Sequence, residues 1–122
     1  MSNQDSFSQV FDLLRAILKD HASGLSCEKN GQDEYYLNTN HIMKNRKPLF
    51  FGAVKIKKNY VSYHLMPVYV YPELLDRVSP GLKRRMQGKS CFNFKSVNSE
   101  LFEELAALTK AGYEKFSSER YV

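Results

Sequence analysis

The chain has 122 residues, of which 43% are hydrophobic and 25% are charged, and its formal net charge is +5. This length and balance are typical of one globular domain and exclude a disordered or fibrous chain. No apolar run approaches the ~18 residues of a membrane span, and the start, MSNQDSFSQV, lacks the basic and then apolar regions of a secretory signal. We therefore expect a cytoplasmic protein that does not enter membranes, with residues 1–122 as a single domain and a core within residues 6–118.

The first predicted element is an amphipathic helix over residues 6–22. Ser6 and Gln9 fit a capping box, in which each side chain satisfies a backbone donor at the start of the helix, and Ser23 with Gly24 is typical of a helix end. Six apolar residues recur at the spacing of one helical face: Phe7, Val10, Phe11, Leu14, Ile17 and Leu18. A stripe this wide predicts packing on a sheet.

A polar segment, residues 26–34, follows this helix and is predicted to be a loop that contains Cys27. Residues 35–39 are aromatic and β-prone, which predicts the first strand. The basic stretch HIMKNRK, residues 41–47, would then connect this strand to the next one.

A hairpin is predicted over residues 49–57 and 60–66, where the apolar period becomes two. A turn at Lys58-Asn59 sets three opposite pairs: Ile56 with Val61, Val54 with Tyr63, and Ala53 with His64. A lysine is a poor first residue for a tight hairpin turn, so a longer loop with a bulge is the alternative. The alternation places Gly52, Val54 and Ile56 on the core side of the first strand. It places these residues on the other side: Phe51, Ala53, Lys55 and Lys57.

Two short helical turns are predicted next, over residues 71–78 and 79–87. Ser79 is expected to cap the second turn, Pro80 to occupy its first position and Gly88 to end it, because proline favours helix starts and glycine favours helix ends.

A strand over residues 91–95, with Phe92 and Phe94 on one face, and a helix from Ser99 complete the chain. The buried stripe of this helix is predicted to be Leu101, Phe102, Leu105, Leu108, Tyr113 and Phe116. Gly112 is expected to weaken the late turns by ~1 kcal/mol relative to alanine, so that the helix end frays.

These elements predict an α+β fold of two layers. An antiparallel meander sheet of about four to five strands would carry the N- and C-terminal helices on one of its faces, in the order α-β(n)-α. An exposed edge strand could pair with a second copy, whereas edge lysines disfavour such pairing, so we expect a monomer or a weak dimer.

Charge is distributed unevenly along the sequence. Residues 35–99 contain twelve lysines and arginines against two acids, whereas the remaining residues contain six basic and eleven acidic groups. The predicted sheet is therefore strongly basic, and such a field attracts anions over about a Debye length, ~8 Å at physiological salt.

We predict a candidate binding surface, called here the basic face, that would hold an acidic protein or a small anion. Its residues are Lys44, Arg46, Lys47, Lys55, Lys57, Tyr60 and His64. Phe51 and Tyr60 are aromatic residues among these cations, which is compatible with stacking on nucleic-acid bases, so nucleic-acid binding is a second hypothesis. The plainer interpretation is that alternating lysines only keep the uncovered side of the sheet soluble.

The histidines and cysteines are the other candidates for chemistry. His64 would lie diagonal to Lys55, and a neighbouring cation favours neutral imidazole. His21 would end the first helix, where a protonated ring complements the dipole, and His41 lies in the basic connection. Cys27 and Cys91 are too few for a disulfide framework and lack zinc spacing, so ordinary reduced thiols are expected.

Motifs of catalysis and cofactor binding are missing from the sequence. It contains no GxGxxG, P-loop, GxSxG or HExxH pattern and no carboxylate pair placed for acid–base work. We expect a non-enzymatic binding module without a cofactor, catalytic residues or metal ligands. An enzyme that uses His64 or Cys91 is the remaining alternative.

One family resemblance covers residues 10–116. The segments NRKPLFFGAVKIKKNYVSYHLMP, SPGLKRRMQGKSCFNF and LFEELAALTKAGYEKF resemble the YdhG-like family of small bacterial domains of unknown function. This resemblance implies a frataxin-like α-β-α sandwich, and it implies iron chaperoning as an alternative function. Iron binding of the frataxin type uses an acidic ridge of oxygen ligands, whereas the first helix here mixes Asp5, Asp12 and Asp20 with basic residues.

Overall fold

The computed structural model describes the backbone of residues 3–122 and the side chains from Phe7 onward. The helices are α1 (Asn3–Lys19), α2 (Met66–Val70), α3 (Pro80–Lys83) and α4 (Ser99–Ser118). The strands are β1 (Ser26–Asn30), β2 (Glu34–Ile42), β3 (Pro48–Ile56), β4 (Val61–Leu65), β5 (Met86–Gln87) and β6 (Cys91–Phe94). Two 3₁₀ turns, Ala22–Gly24 and Pro72–Arg77, lie between them. The Ser6 side chain, and with it the expected capping box, lies outside the described residues.

The predicted α+β sandwich is confirmed. All strand pairs are antiparallel and form one sheet in the order β1-β2-β3-β4-β6-β5, and the N- and C-terminal helices α1 and α4 pack on one of its faces. The described residues form six strands instead of the expected four to five. The two additional strands, β1 and β5, are the two edges of the sheet.

Both edge strands correct the sequence analysis. Cys27 lies in β1 and not in a loop, because Ser26–Asn30 pairs with β2 across a bulge between Cys27 and Lys29. Gly88 does not end a helix: α3 stops at Lys83, and Gly88 takes φ 78° in the turn between β5 and β6. That backbone conformation favours glycine, which lacks the Cβ that would clash there.

The β3–β4 hairpin has the predicted register. Ile56 pairs with Val61, Val54 pairs with Tyr63, and Ala53 pairs with His64. Val54 and Tyr63 are both buried. The turn at Lys58-Asn59 keeps this register, and the backbone N–H of Lys57 donates to the carbonyl of Tyr60 at 2.8 Å.

A β-bulge at Phe51 overturns the predicted orientation of that side chain. Leu37 pairs with Gly52 and Asn38 pairs with Phe50, so Phe51 is the extra residue on β3. A bulge breaks the strict alternation of a strand. Phe51 is therefore fully buried against the helices, and Phe50 takes its place on the opposite side of the sheet.

The core lies between the sheet and the two long helices. All six apolar residues predicted for α1 are buried, and so are those predicted for α4 except Tyr113, which is half-buried. Helix α1 ends at Lys19, three residues earlier than predicted. The backbone N–H of His21 donates to the carbonyl of Leu18, three residues back, instead of the carbonyl four residues back that an α-helix uses. Helix α4 continues past Gly112 to Ser118, and that glycine is buried.

Candidate functional site

The side of the sheet that faces away from α1 and α4 is called here the open face. Strands β2, β3, β4 and β6 present side chains on it at the end of the sheet nearest the β3–β4 turn. Its residues are Glu34, Tyr36, Phe50, Ala53, Lys55, Lys57, Ser62, His64 and Cys91. These side chains surround a shallow depression of about 270 Å³, called here the His64 depression.

His64 is the most constrained polar group of this depression. Its Nε2 lies 2.6 Å from Oγ of Ser90, a buried hydroxyl in the turn before β6, and the Phe50 ring meets its imidazole edge-on at 4.9 Å between centroids. Burial lowers the pKa of His64 below its ordinary value, so the neutral imidazole is favoured. The neutral state was predicted, but the cause is burial and not the charge of Lys55.

Two stacked aromatic rings form an apolar wall beside His64. The rings of Tyr36 and Phe50 lie 4.7 Å apart at an angle of 29°, on neighbouring strands. Sequence reasoning missed Phe50, because only the bulge in the pairing of β3 with β2 turns this ring to the open face. The resulting wall offers a flat surface to a ligand in the depression.

The exposed side chains of Lys55 and Lys57 supply the positive charge of the depression. Glu34 pairs across the strands with Lys55, and its carboxylate bonds to Lys29 at 3.3 Å on the neighbouring strand. The lining therefore combines two cations with one carboxylate that already has a partner. A modest positive field remains.

Cys91 and His64 are direct neighbours across β4 and β6. Both side chains line the depression, yet among the described residues no hydrogen bond joins them, since the Nε2 atom of His64 is bonded to Ser90. A histidine activates a cysteine when the two side chains come within hydrogen-bond reach. The fold therefore makes the two residues of the enzyme alternative neighbours on the open face.

Tyr60 lies in a second, neighbouring depression of about 320 Å³, called here the Tyr60 cleft. Its lining residues are Tyr60, Arg84, Arg85, Met86, Gln87, Asn93 and Lys95. No local pattern predicts that Arg84 and Arg85, which directly follow α3, line one cleft with Tyr60, because they come 24 and 25 residues after it in the sequence.

The structure does not bring three members of the predicted basic face to this region. Lys44, Arg46 and Lys47 lie in the turn between β2 and β3, at the opposite end of β3 from Lys55. Lys55 follows Lys47 by eight positions of mostly extended chain, which corresponds to about 26 Å. Sequence proximity misled the prediction here because both groups flank one long strand.

The other two histidines also differ from expectation. His21 is stacked on Tyr113 at 5.0 Å, and burial lowers its pKa, so it is not the protonated helix cap that was predicted. His41 lies within β2 instead of a connection and packs on Tyr121 at 4.9 Å. Neither histidine lines the His64 depression or the Tyr60 cleft.

A larger concavity of about 580 Å³ lies on the helix side, between the Pro72–Arg77 turn and α4. Its lining is mainly apolar, and the carboxylate of Glu104 in it is bonded to the hydroxyl and backbone N–H of Ser79 at 2.7 and 3.0 Å. That carboxylate fixes the start of α3, so it serves the fold. No residue of the predicted basic face lines this concavity.

Within the described part of the chain, no three histidine, cysteine or carboxylate side chains converge as a metal site would require. Across residues 3–122, no helix combines the length and the apolar character needed to cross a membrane. Comparisons with known proteins found no matching family model, no matching curated protein and no matching solved structure. The resemblance to the YdhG-like family therefore stays a prediction.

Proposed function

We propose that the protein is a non-enzymatic binding module that holds a small anion with a flat apolar part in the His64 depression. The observation that carries this proposal is the convergence of two lysines, a neutral imidazole and two stacked aromatic rings on one depression of the open face. No member of this set is close to all the others in sequence, so the fold assembles it.

The charge of the depression favours an anion. Lys55 and Lys57 are exposed at its margin, and the described residues contain no ion pair for either of them. The Glu34 carboxylate is bonded to Lys29. An anionic group would meet two unpaired cations, whose attraction is screened within about 8 Å at physiological salt.

The shape of the depression favours a small ligand over an acidic protein. A volume of about 270 Å³ lies near the lower limit of ligand pockets. The Tyr36–Phe50 wall offers an aromatic surface for a flat group of the ligand. The His64 ring can donate one hydrogen bond to a polar atom of the ligand or accept one from it. The other candidate ligand is an acidic protein segment that inserts one side chain into the depression, since it would present the same negative charge.

Titration with benzoate tests this proposal, and benzamide serves as its uncharged counterpart. We expect benzoate to shift the amide NMR signals of Lys55, His64 and Cys91, and benzamide to do so much less. The K55E/K57E variant is expected to weaken benzoate binding about tenfold, since each exposed charge pair contributes up to ~1 kcal/mol. The matched control is K44E/K47E, which changes net charge equally at the far end of β3.

Alkylation of the two cysteines supplies an independent readout. Cys91 lines the depression, whereas Cys27 is exposed on the edge strand β1. Bound benzoate should slow iodoacetamide modification of Cys91 and leave that of Cys27 unchanged. Equal rates with and without benzoate, together with unshifted amide signals, would rule out a site in this depression.

We also propose, on the resemblance alone, that the chain is related to the YdhG-like domains. The order of helix, antiparallel sheet and helix supports this relationship. The free thiols of Cys27 and Cys91 support a cytoplasmic location, because reducing compartments keep thiols unpaired. Fractionation of cells that express the native protein would test the location, and recovery from a secreted fraction would contradict it.

A further inference from the structure

We propose that the Tyr60 cleft is a second binding site, which takes a nucleoside phosphate: Arg84, Arg85 and Lys95 hold the phosphate, and Tyr60 stacks on the base. The cleft lies where the β3–β4 turn, the edge strand β5 and the end of β6 meet. It differs from the His64 depression in its residues, its charge and the chemistry that it selects.

The charge of the cleft favours a phosphate. The three cations of the cleft are exposed, and none of the lining residues that the structure describes carries a carboxylate. The ion pairs found between residues 7 and 122 involve other cations, Arg15, Lys29 and Lys115. Three unpaired cations repel one another at close range. A phosphate relieves this repulsion and accepts a bidentate bond from arginine.

Hydrogen bonds hold the backbone of both arginines in place. The backbone N–H of Arg84 donates to the carbonyl of Pro80, and that of Arg85 donates to the carbonyl of Leu82, each at 3.0 Å. The carbonyl of Arg85 accepts from the N–H of Asn93 at 2.8 Å. The backbone of both arginines is therefore already ordered by bonds to α3 and β6. Binding would have to order only their side chains, which lowers its entropy cost.

The rest of the lining suits a base and a ribose. Tyr60 is half-buried and offers an aromatic ring beside the cations, which suits a base because every base has a flat π-face. Nδ2 of Asn93 donates to Oε1 of Gln87 at 2.7 Å, and these two amides provide further donors and acceptors for a ribose or a base edge. A volume of about 320 Å³ is small for a ligand pocket and suits a single nucleotide.

A free nucleotide and one nucleotide within a single strand would bind the cleft through the same groups. The experiment therefore tests a free nucleotide and a single strand separately. AMP, adenosine and ribose 5-phosphate are titrated separately into the full-length protein, with calorimetry and amide NMR as readouts. A labelled oligo(dA) strand is titrated with fluorescence anisotropy as the readout. Three phosphate contacts would give a log–log salt slope of about −2 for the strand.

We expect AMP to shift the amide signals of Tyr60, Arg85 and Lys95, and to bind more tightly than adenosine or ribose 5-phosphate. The R84E/R85E variant should weaken AMP binding by roughly tenfold or more, because it replaces charge-assisted hydrogen bonds to the phosphate with repulsion between like charges. The K44E/K47E variant, with the same change in net charge, should bind like the parent protein. All four substituted residues are exposed, so folding is preserved.

Binding of oligo(dA) without binding of AMP would support the site and identify a strand as its source. Equal losses in R84E/R85E and K44E/K47E would overturn the proposal, because the net charge alone would then explain binding. Ribose 5-phosphate that binds as tightly as AMP would overturn the role of Tyr60. Unshifted signals with every probe would overturn the site altogether. The His64 depression is tested with benzoate and with other variants, so either site can fail alone.

Discussion

Tyr63 donates its hydroxyl proton to Oγ1 of Thr109, which lies 2.6 Å away between the sheet and α4. The direction follows from the second bond of that threonine, whose own proton is given to the carbonyl of Leu105 at 2.8 Å. Both side chains are fully buried, and burial raises the pKa of Tyr63, so its hydroxyl keeps the proton that it donates. This pair ties the central strand β4 to the last helix.

The direction of this bond predicts unequal effects of removing its two ends. T109V leaves the buried Tyr63 hydroxyl without an acceptor and should lower the free energy of unfolding by ~1–3 kcal/mol. Y63F leaves Thr109 bonded to Leu105, so it should cost only ~0.5–1.5 kcal/mol. Urea denaturation measures both values.

The double variant Y63F/T109V provides the control for this pair. Replacing both partners by apolar groups of similar shape is close to neutral, so the double variant should be more stable than T109V alone. If Y63F proved more costly than T109V, the assigned direction of the bond would be wrong.

Gly112 lies against Pro67, and this contact predicts a reversal of the usual effect of alanine in a helix. Helix propensity alone would make G112A more stable by ~1 kcal/mol. A Cβ on residue 112 would, however, lie 2.7 Å from Cβ of Pro67, which requires a shift of buried atoms. Overpacking of this kind costs ~1–3 kcal/mol, so we expect G112A to be less stable than the parent protein.

Thermal unfolding of G112A and two further variants checks this prediction. G31A serves as the control, because a Cβ there would lie 3.6 Å from its nearest neighbour, an ordinary contact. It should be neutral or slightly stabilising. In the P67G background, where both the Cβ and the ring of residue 67 are absent, G112A should cost less. A G112A protein that unfolds at a higher temperature than the parent would show that α4 moves away from α2 easily.

The sequence was sufficient to predict elements that depend only on the spacing of apolar residues or on one turn between neighbouring strands. The α1 stripe from Phe7 to Leu18 follows from helical spacing, and Val54 pairs with Tyr63 because β4 and the part of β3 after the bulge alternate around one turn. Local rules sufficed here because helical spacing alone defines the α1 stripe and because β4 directly follows β3 along the chain.

The sequence was insufficient where a distant strand decides. Strand β1 is exposed at nearly every position, so it has no alternation that could reveal it. The bulge at Phe51 arises from pairing with β2 and changes which phenylalanine enters the core. The Ser90–His64 bond and the cleft that Tyr60 and Arg84 both line involve residues more than 20 positions apart, and short-range patterns do not encode such arrangements.

The edges of the sheet predict a monomer. One edge, β5, is only two residues long, and the other, β1, carries a bulge and the exposed charges of Glu28 and Lys29. Short, bulged and charged edges are poor templates for pairing with a second copy. Sedimentation velocity over a concentration series should give a single species of 14.2 kDa. A dimer that resists dilution would contradict this expectation and would point to another surface.

The half-buried histidines His21 and His64 predict that stability falls as the pH is lowered. Burial lowers the pKa of both His21 and His64 in the folded state below the ordinary value of 6.5. Below pH 6.5 the unfolded chain therefore binds more protons than the folded one, and protonation favours unfolding. The contribution of each neutral ring is fully present above pH 6.5 and is lost as the pH falls through the folded pKa.

Urea denaturation at several values between neutral pH and pH ~5, which stays above the ordinary pKa values of carboxylates, measures this loss. H64Q keeps a polar group that can bond to Ser90 but cannot be protonated, so its free energy of unfolding should change less with pH than that of the parent. H21Q/H64Q should change least. In the parent protein, Asp20 raises the pKa of His21 and Lys110 lowers it, but burial is the largest cause and lowers it. The free energy of unfolding of H21Q should therefore also change less with pH than that of the parent. A pH slope in H21Q/H64Q as steep as in the parent would mean that other groups cause the loss.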